Sequence, residues 1–212
     1  MRSGGANSFP DRPYETGAAY ALAYREQISD AWNSLDSEAI NRAAEVLGSA
    51  IKDGKTVYSC GNGGSAAISN HLLCDFQKGI QTDTSLKPKI VSLSSNIEII
   101  TAIANDITYD DVFIYQLRTM ASAGDVLLTI SASGDSENIV RAFDWARENG
   151  VGTVALTGFD GGRSATDAEI NIHVAADNYG VIEDVHQSLM HVFAQYLRQS
   201  QMDAGLVAKK LF

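Results

Sequence analysis

The chain has 212 residues, 45% hydrophobic and 20% charged, with a formal net charge of −10 and a sequence pI near 4.7. That length suits one domain with a sizeable core. The acidic balance argues against a nucleic-acid or anionic-membrane surface, which needs clustered Lys and Arg, but leaves room for an anionic small molecule in a local pocket. Two cysteines, Cys60 and Cys74, are too few for a disulfide scaffold and predict reduced thiols in a cytoplasmic protein. No 18-residue apolar run or signal-type N-terminus occurs, so neither a membrane span nor secretion is expected.

Residues 1–16 hold two of the three prolines and little apolar periodicity, and read as a flexible or loosely docked arm before a single domain over 17–212. Two helical patterns follow. The first repeats Tyr20, Leu22, Tyr24, Ile28 and Trp32. The second starts at an Asp36 or Ser37 cap, carries Ile40, Ala44, Leu47 and Ile51, and stops at Gly54. Both precede the sheet described next, and both are expected in a subunit interface.

From Lys55 short apolar runs alternate with helices. The runs are 56–60, 89–94, 125–131, 152–157 and 169–175. The helices between them cover 65–79, 97–104 with 110–121, 136–149 and a short stretch near 162–166, and a long one closes at 181–201. This alternation predicts an α/β fold with a doubly wound, five-stranded parallel sheet of the flavodoxin-like kind. Ligands in such sheets bind beyond the carboxyl ends of the strands, where the winding reverses.

Three loops lie at those ends. Gly61-Asn62-Gly63-Gly64-Ser65 lets a ligand approach the backbone and opens onto a helix N-terminus, which favours an anion. It fits a dinucleotide fingerprint only loosely, and no acid follows the next strand to hold a ribose. Ser131 to Asn138 brings three hydroxyls, Ser131, Ser133 and Ser136, to a helix start, which is how a phosphate is held without a basic residue. No G-x-x-x-x-G-K-[ST] occurs, so a phosphate ester is favoured over a nucleoside triphosphate. The third loop, Thr157 to Gly162, reads as a turn.

His71 and Asp75 share a helix face at i, i+4. The last helix carries Glu183, Asp184, His186 and His191, and Glu183 and His191 lie about 80° apart around its axis. Such a set of imidazoles and carboxylates suits either a divalent metal or general acid–base work.

Those motifs together, "SCGNGGSAAISNH", "TAIANDITYDDVF", "DVLLTISASGDSENIVRAF", "ALTGFDGG" and "YGVIEDVHQSLMHVFAQYLRQ", resemble the sugar isomerase (SIS) domain family and, within it, the phosphoheptose isomerases, over residues 17–200. The resemblance implies isomerisation of sedoheptulose 7-phosphate to D-glycero-D-manno-heptose 7-phosphate in heptose biosynthesis for surface polysaccharide. It implies substrate contacts from Asn62, Gly63, Gly64, Ser65, Asn105, Asp106 and Glu183, with Ser131, Ser133 and Ser136 on the phosphate. It further implies zinc on His71, Asp75, Glu183 and His191, an acid–base pair of Asp75 and His191, His186 as a second candidate, and a homotetramer with shared active sites. Three positions depart from the family's usual residues: Asp75 for Glu, Glu183 for Gln, and Asp135 for Asn. If the phosphate assignment holds, Asp135 must point away from the loop. The alternatives are a non-catalytic SIS module that binds a sugar phosphate or a partner protein, and an isomerase of another sugar phosphate.

Overall fold

A computed structural model describes residues 9–212. Helix α1 (Gly17–Asn33) and α2 (Ser37–Lys52) lead into β1 (Thr56–Gly61), α3 (Gly64–Cys74), β2 (Lys89–Ser92), α4 (Ile97–Asp106), α5 (Ile114–Met120) and β3 (Val126–Ser131). Then come α6 (Glu137–Glu148), β4 (Gly152–Thr157), α7 (Gly162–Asp167), β5 (Ile170–His173), α8 (Tyr179–Gln199) and α9 (Ala204–Val207). The five strands are all parallel, in the order β2-β1-β3-β4-β5. This is the flavodoxin-like order, and its winding reverses between β1 and β3.

Every residue of β3, the central strand, is buried, because helices cover both faces of the sheet. Val57, Leu128, Ile130, Val154 and Leu156 point to the side of α2, α3 and α8. Tyr58, Cys60, Leu127 and Ala155 point to the side of α4, α5 and α6, where Phe113, Leu117 and Phe143 meet them. The sheet's twofold side-chain period thus divides the apolar residues between two cores.

Residues 1–8 of the expected arm lie outside the described residues. In the remainder, 9–16, Phe9 is the docked residue: it is 7% exposed, sits among the rings of Tyr14, Tyr20 and Tyr24, and its carbonyl accepts from Asn178 Nδ2 at 3.1 Å, while most of its neighbours in the arm are exposed. Aromatic burial outweighs the local lack of periodicity. Helix α2, expected at an interface, packs one face into the core. Its Ala43, Leu47 and Ile51 are fully or nearly fully buried against the sheet and α8. Asp36 caps it, accepting from the Glu38 amide at 2.9 Å. Helix α1 buries only Ala31 completely and leaves Leu22 55% exposed. Among the described residues no helix is long and apolar enough to cross a membrane.

Candidate active site

Helix α3 is fixed to the sheet by a buried hydroxyl chain. The Ser59 hydroxyl on β1 meets Ser69 at 2.8 Å, Ser69 meets Ser92 on β2 at 2.9 Å, and Ser92 donates to Asn70 Oδ1 at 2.6 Å. His71 follows directly. The helix then widens into a π turn over Asp75–Gly79, a feature common at functional sites, and Asp75 is its first residue.

Asp75 lies between two histidines. Its Oδ1 is 3.3 Å from His71 Nε2 on its own helix, and its Oδ2 is 3.6 Å from His191 Nε2 on α8. The imidazoles meet edge to face with ring centres 5.0 Å apart. One candidate ligand atom from each of His71, Asp75 and His191 lies within 4.8 Å of the others, so these three could hold a metal ion. Gln187, a residue that sequence reasoning missed, bridges the imidazoles: its Nε2 is 3.1 Å from His71 Nδ1 and 3.2 Å from His191 Nε2. An uncharged amide between His186 and Ser188 carries no motif signal.

The two other distinctive loops meet at the reversal point. Asn62, after β1, exchanges a reciprocal pair of amide hydrogen bonds with Asn138 on α6, at 2.9 and 3.0 Å. Tyr109 donates to Asn62 Oδ1 at 2.8 Å. In the serine loop, Ser131 Oγ accepts from the Gly134 amide at 3.1 Å and Ser133 Oγ from the Asp135 amide at 3.4 Å. Ser136 stands at the N-cap of α6, yet its hydroxyl caps no amide, so the first amides of that helix lack a side-chain acceptor. Gly134 has φ +62° and runs so close to the Gly161 carbonyl that a Cβ would clash, which packs the serine loop against the third loop. The Ser164 amide seals the junction by donating to Gly134 O at 2.9 Å.

Residues 22–158 match the SIS domain family. This chain belongs to the SIS domain family, among the phosphoheptose isomerases. The phosphoheptose isomerase of Colwellia psychrerythraea is 36% identical over 182 residues, covering 84% of this chain and 92% of that relative. The phosphoheptose isomerase of Aliarcobacter butzleri is 34% identical over 176 residues, 83% of this chain and 92% of its own. The solved phosphoheptose isomerase GmhA from Neisseria gonorrhoeae superposes with a TM-score of 0.77 at 31% identity, over 85% of this chain and 95% of that one.

Within this SIS domain the remaining expected site residues fall in different places. Glu183 does not join the His71–Asp75–His191 cluster. It sits eight residues before His191 on α8, a rise of about 12 Å, so a shared helix face does not bring it to the same point. Its carboxylate packs instead against Gly64 at the start of α3, where a Cβ would collide with it. Burial, and then the neighbouring Asp184 charge, hold the Glu183 carboxyl above its ordinary range. Ser65, next to it, is buried under the glycine loop.

Asn105 and Asp106 are exposed at the end of α4, where Asn105 Nδ2 donates to Asp106 Oδ1 at 2.8 Å. His186, the second candidate, is completely buried, and its Nε2–H donates to Thr157 O at 3.1 Å. Burial lowers its pKa to about 4, so it stays neutral in the core. Asp135 is turned toward Arg163, whose Nε donates to Asp135 Oδ1 at 2.6 Å and whose Nη1 donates to Glu137 Oε2 at 3.0 Å. Hydrogen bonds from Arg141 and then Arg163 keep the Glu137 carboxyl below its ordinary range, and the two guanidinium groups offset both acids flanking Ser136.

Proposed function

We propose that the protein isomerises sedoheptulose 7-phosphate to D-glycero-D-manno-heptose 7-phosphate, a ketose–aldose conversion in heptose biosynthesis for surface polysaccharide. The observation that carries this reading is Asp75 set between His71 and His191, at 3.3 and 3.6 Å, on the helix that rises from the glycine loop. The phosphoheptose isomerase relatives supply the substrate class.

In this reading the phosphate rests on Ser131, Ser133, Ser136 and the first amides of α6, held by hydroxyls and the helix dipole. The sugar lies over Asn62, Gly63, Gly64 and Ser65, and Glu183 at Gly64 faces its hydroxyls. Anchoring the far end orients the carbonyl carbon and its neighbour at Asp75. Asp75 removes the proton beside the carbonyl, giving an enediolate, and returns it to the adjacent carbon. His191 is the partner acid. It carries the hydroxyl proton across to the former carbonyl oxygen, so no net proton is gained or lost.

His71, Asp75 and His191 also suit zinc, since catalytic zinc sites take three protein ligands from imidazoles and carboxylates and leave a fourth position open. Bound zinc would polarise the substrate carbonyl. A cytoplasmic location, supported by two unpaired cysteines, and a homotetramer with shared sites belong to the same proposal. The exposed Leu22 on α1 and Ile99, Ile107 and Met120 around α4 and α5 offer contact surface, and the exposed Asn105 and Asp106 are placed to serve a neighbour's sugar. The N-terminal arm and the single domain over 17–212 remain the proposed division of the chain.

Incubating the protein with sedoheptulose 7-phosphate and following the aldose by NMR tests the activity. No turnover with or without added zinc would sink the proposal, as would full turnover in Asp75→Ala. Light scattering tests the tetramer.

A further inference from the structure

Asn62 is held by two residues that nothing so far has given a role. Asn138 is the second residue of α6 and is 2% exposed, and its amide reaches Asn62 with both its oxygen and its nitrogen, at 2.9 and 3.0 Å. Tyr109 opens the short 3-10 turn Tyr109–Asp111 and is 52% exposed, and its hydroxyl meets the same amide at 2.8 Å. The two holders are themselves joined. Arg141, three residues after Asn138 on α6, donates from Nη1 to Asp111 Oδ1 at 2.9 Å. The loop after β1, the start of α6 and the 3-10 turn thus form a closed triangle around one side chain.

A primary amide has four hydrogen-bonding positions, two N–H groups and two lone pairs. The paired contact takes one of each from Asn62, whichever way round the two amides are turned. The Tyr109 hydroxyl, which can donate or accept, takes a third. One position is left for a ligand, on a group that its partners hold in place. Burying an amide is costly unless it is bonded, and Asn138 spends its amide on Asn62. Its main chain, in the first turn of α6, belongs to the phosphate end of the proposed site, while its side chain grips the loop at the sugar end.

We propose that Asn138 and Tyr109 are positioning residues that fix the Asn62 side chain, and that Asn138 thereby sets the sugar end of the site relative to the phosphate end. The catalytic consequence rests on the isomerase reading above; the immobilisation of Asn62 does not.

A double-mutant cycle on turnover of sedoheptulose 7-phosphate tests the consequence. Asn138→Ala should lower kcat/KM about 10- to 30-fold and Tyr109→Phe about fivefold, the worth of two lost hydrogen bonds and of one. Tyr109→Phe keeps the ring at an exposed position, so its thermal unfolding should stay nearly unchanged. In an Asn62→Ala background neither substitution should change kcat/KM by more than about twofold, since each acts through the side chain already removed. Effects that persist in full in that background would overturn the proposal, as would an unaltered kcat/KM in both single variants. The second measurement needs no substrate. With 15N-labelled asparagine, NMR hydrogen exchange of the Asn62 NH2 group should be slow in the unaltered chain, faster in Tyr109→Phe and fastest in Asn138→Ala. An Asn62 amide that exchanges equally fast in all three would also overturn the proposal. Should the unaltered chain show no turnover, the isomerase reading fails, and the exchange rates still decide whether Asn138 and Tyr109 fix Asn62.

Discussion

His186 and His191 sit five residues apart on α8, about 140° apart around its axis, and lead opposite lives. His186 is sealed between helix and sheet, with one nitrogen bonded to Thr157 O and Nδ1 without a partner. His191 is partly open and faces Asp75 and Gln187. The difference shows that on one helix the face, not the residue type, decides whether an imidazole is a buried structural donor or a group open to other polar side chains. Burial takes the first out of proton chemistry by lowering its pKa to about 4. The second keeps a carboxylate within reach.

The largest effect separating the two should come from His191→Ala and Asp75→Ala. Each should lower kcat about 10²- to 10⁴-fold and leave thermal unfolding nearly unchanged, as read by NMR turnover and calorimetry. His186→Leu should do the reverse. It removes one of the two hydrogen bonds to the Thr157 carbonyl, which keeps the Val174 amide at 2.9 Å, and should cost roughly 1 kcal/mol of stability in denaturant unfolding, with activity per folded molecule retained.

The same buried histidine gives a pH signature. Its folded pKa lies below the ordinary value of 6.5, so its contribution is complete above 6.5 and is lost as pH falls toward 4, because only the unfolded chain takes up the proton there. That component amounts to roughly 3 kcal/mol and should vanish from the acid limb of the stability curve in His186→Leu.

At the phosphate loop, Ser136→Ala should raise KM for the sugar phosphate about tenfold, the worth of one hydrogen bond to a charged group, with a smaller change in kcat. A KM unmoved in steady-state kinetics would remove Ser136 from the phosphate site. The smallest change is expected from Arg163→Ala. It frees the Asp135 and Glu137 charges beside the loop and should raise KM a few-fold at low ionic strength, in proportion to an exposed ion pair of about 1 kcal/mol or less. Added salt should shrink that difference.

Much of the architecture was legible beforehand because its signals are local. The five apolar runs mark the five strands, and the last helix, expected over 181–201, spans Tyr179–Gln199. The resemblance to the SIS family rested on motifs in unbroken order, and the comparisons agree with it. Other features were hidden because they depend on a second element. The arm's Phe9 is held by tyrosines from α1 and by Asn178 at the start of α8. Helix α2 carries the same amphipathic pattern whether it faces a partner or its own sheet, and only the packed structure shows the latter.

The sequence by itself determined the parallel α/β sheet, the glycine and serine loops at its carboxyl edge, and the pairing of His71 with Asp75, since periodicity and i, i+4 spacing act within a few residues. Only the tertiary structure decided which groups of α8 reach that pair. Placing α8 across α3 brings His191 and Gln187 to residues more than a hundred positions earlier, leaves Glu183 at Gly64, and buries His186 against β4. Helical spacing sets a side chain's angle around its own axis. Where along that axis it meets another helix is set by how the two pack against a common sheet.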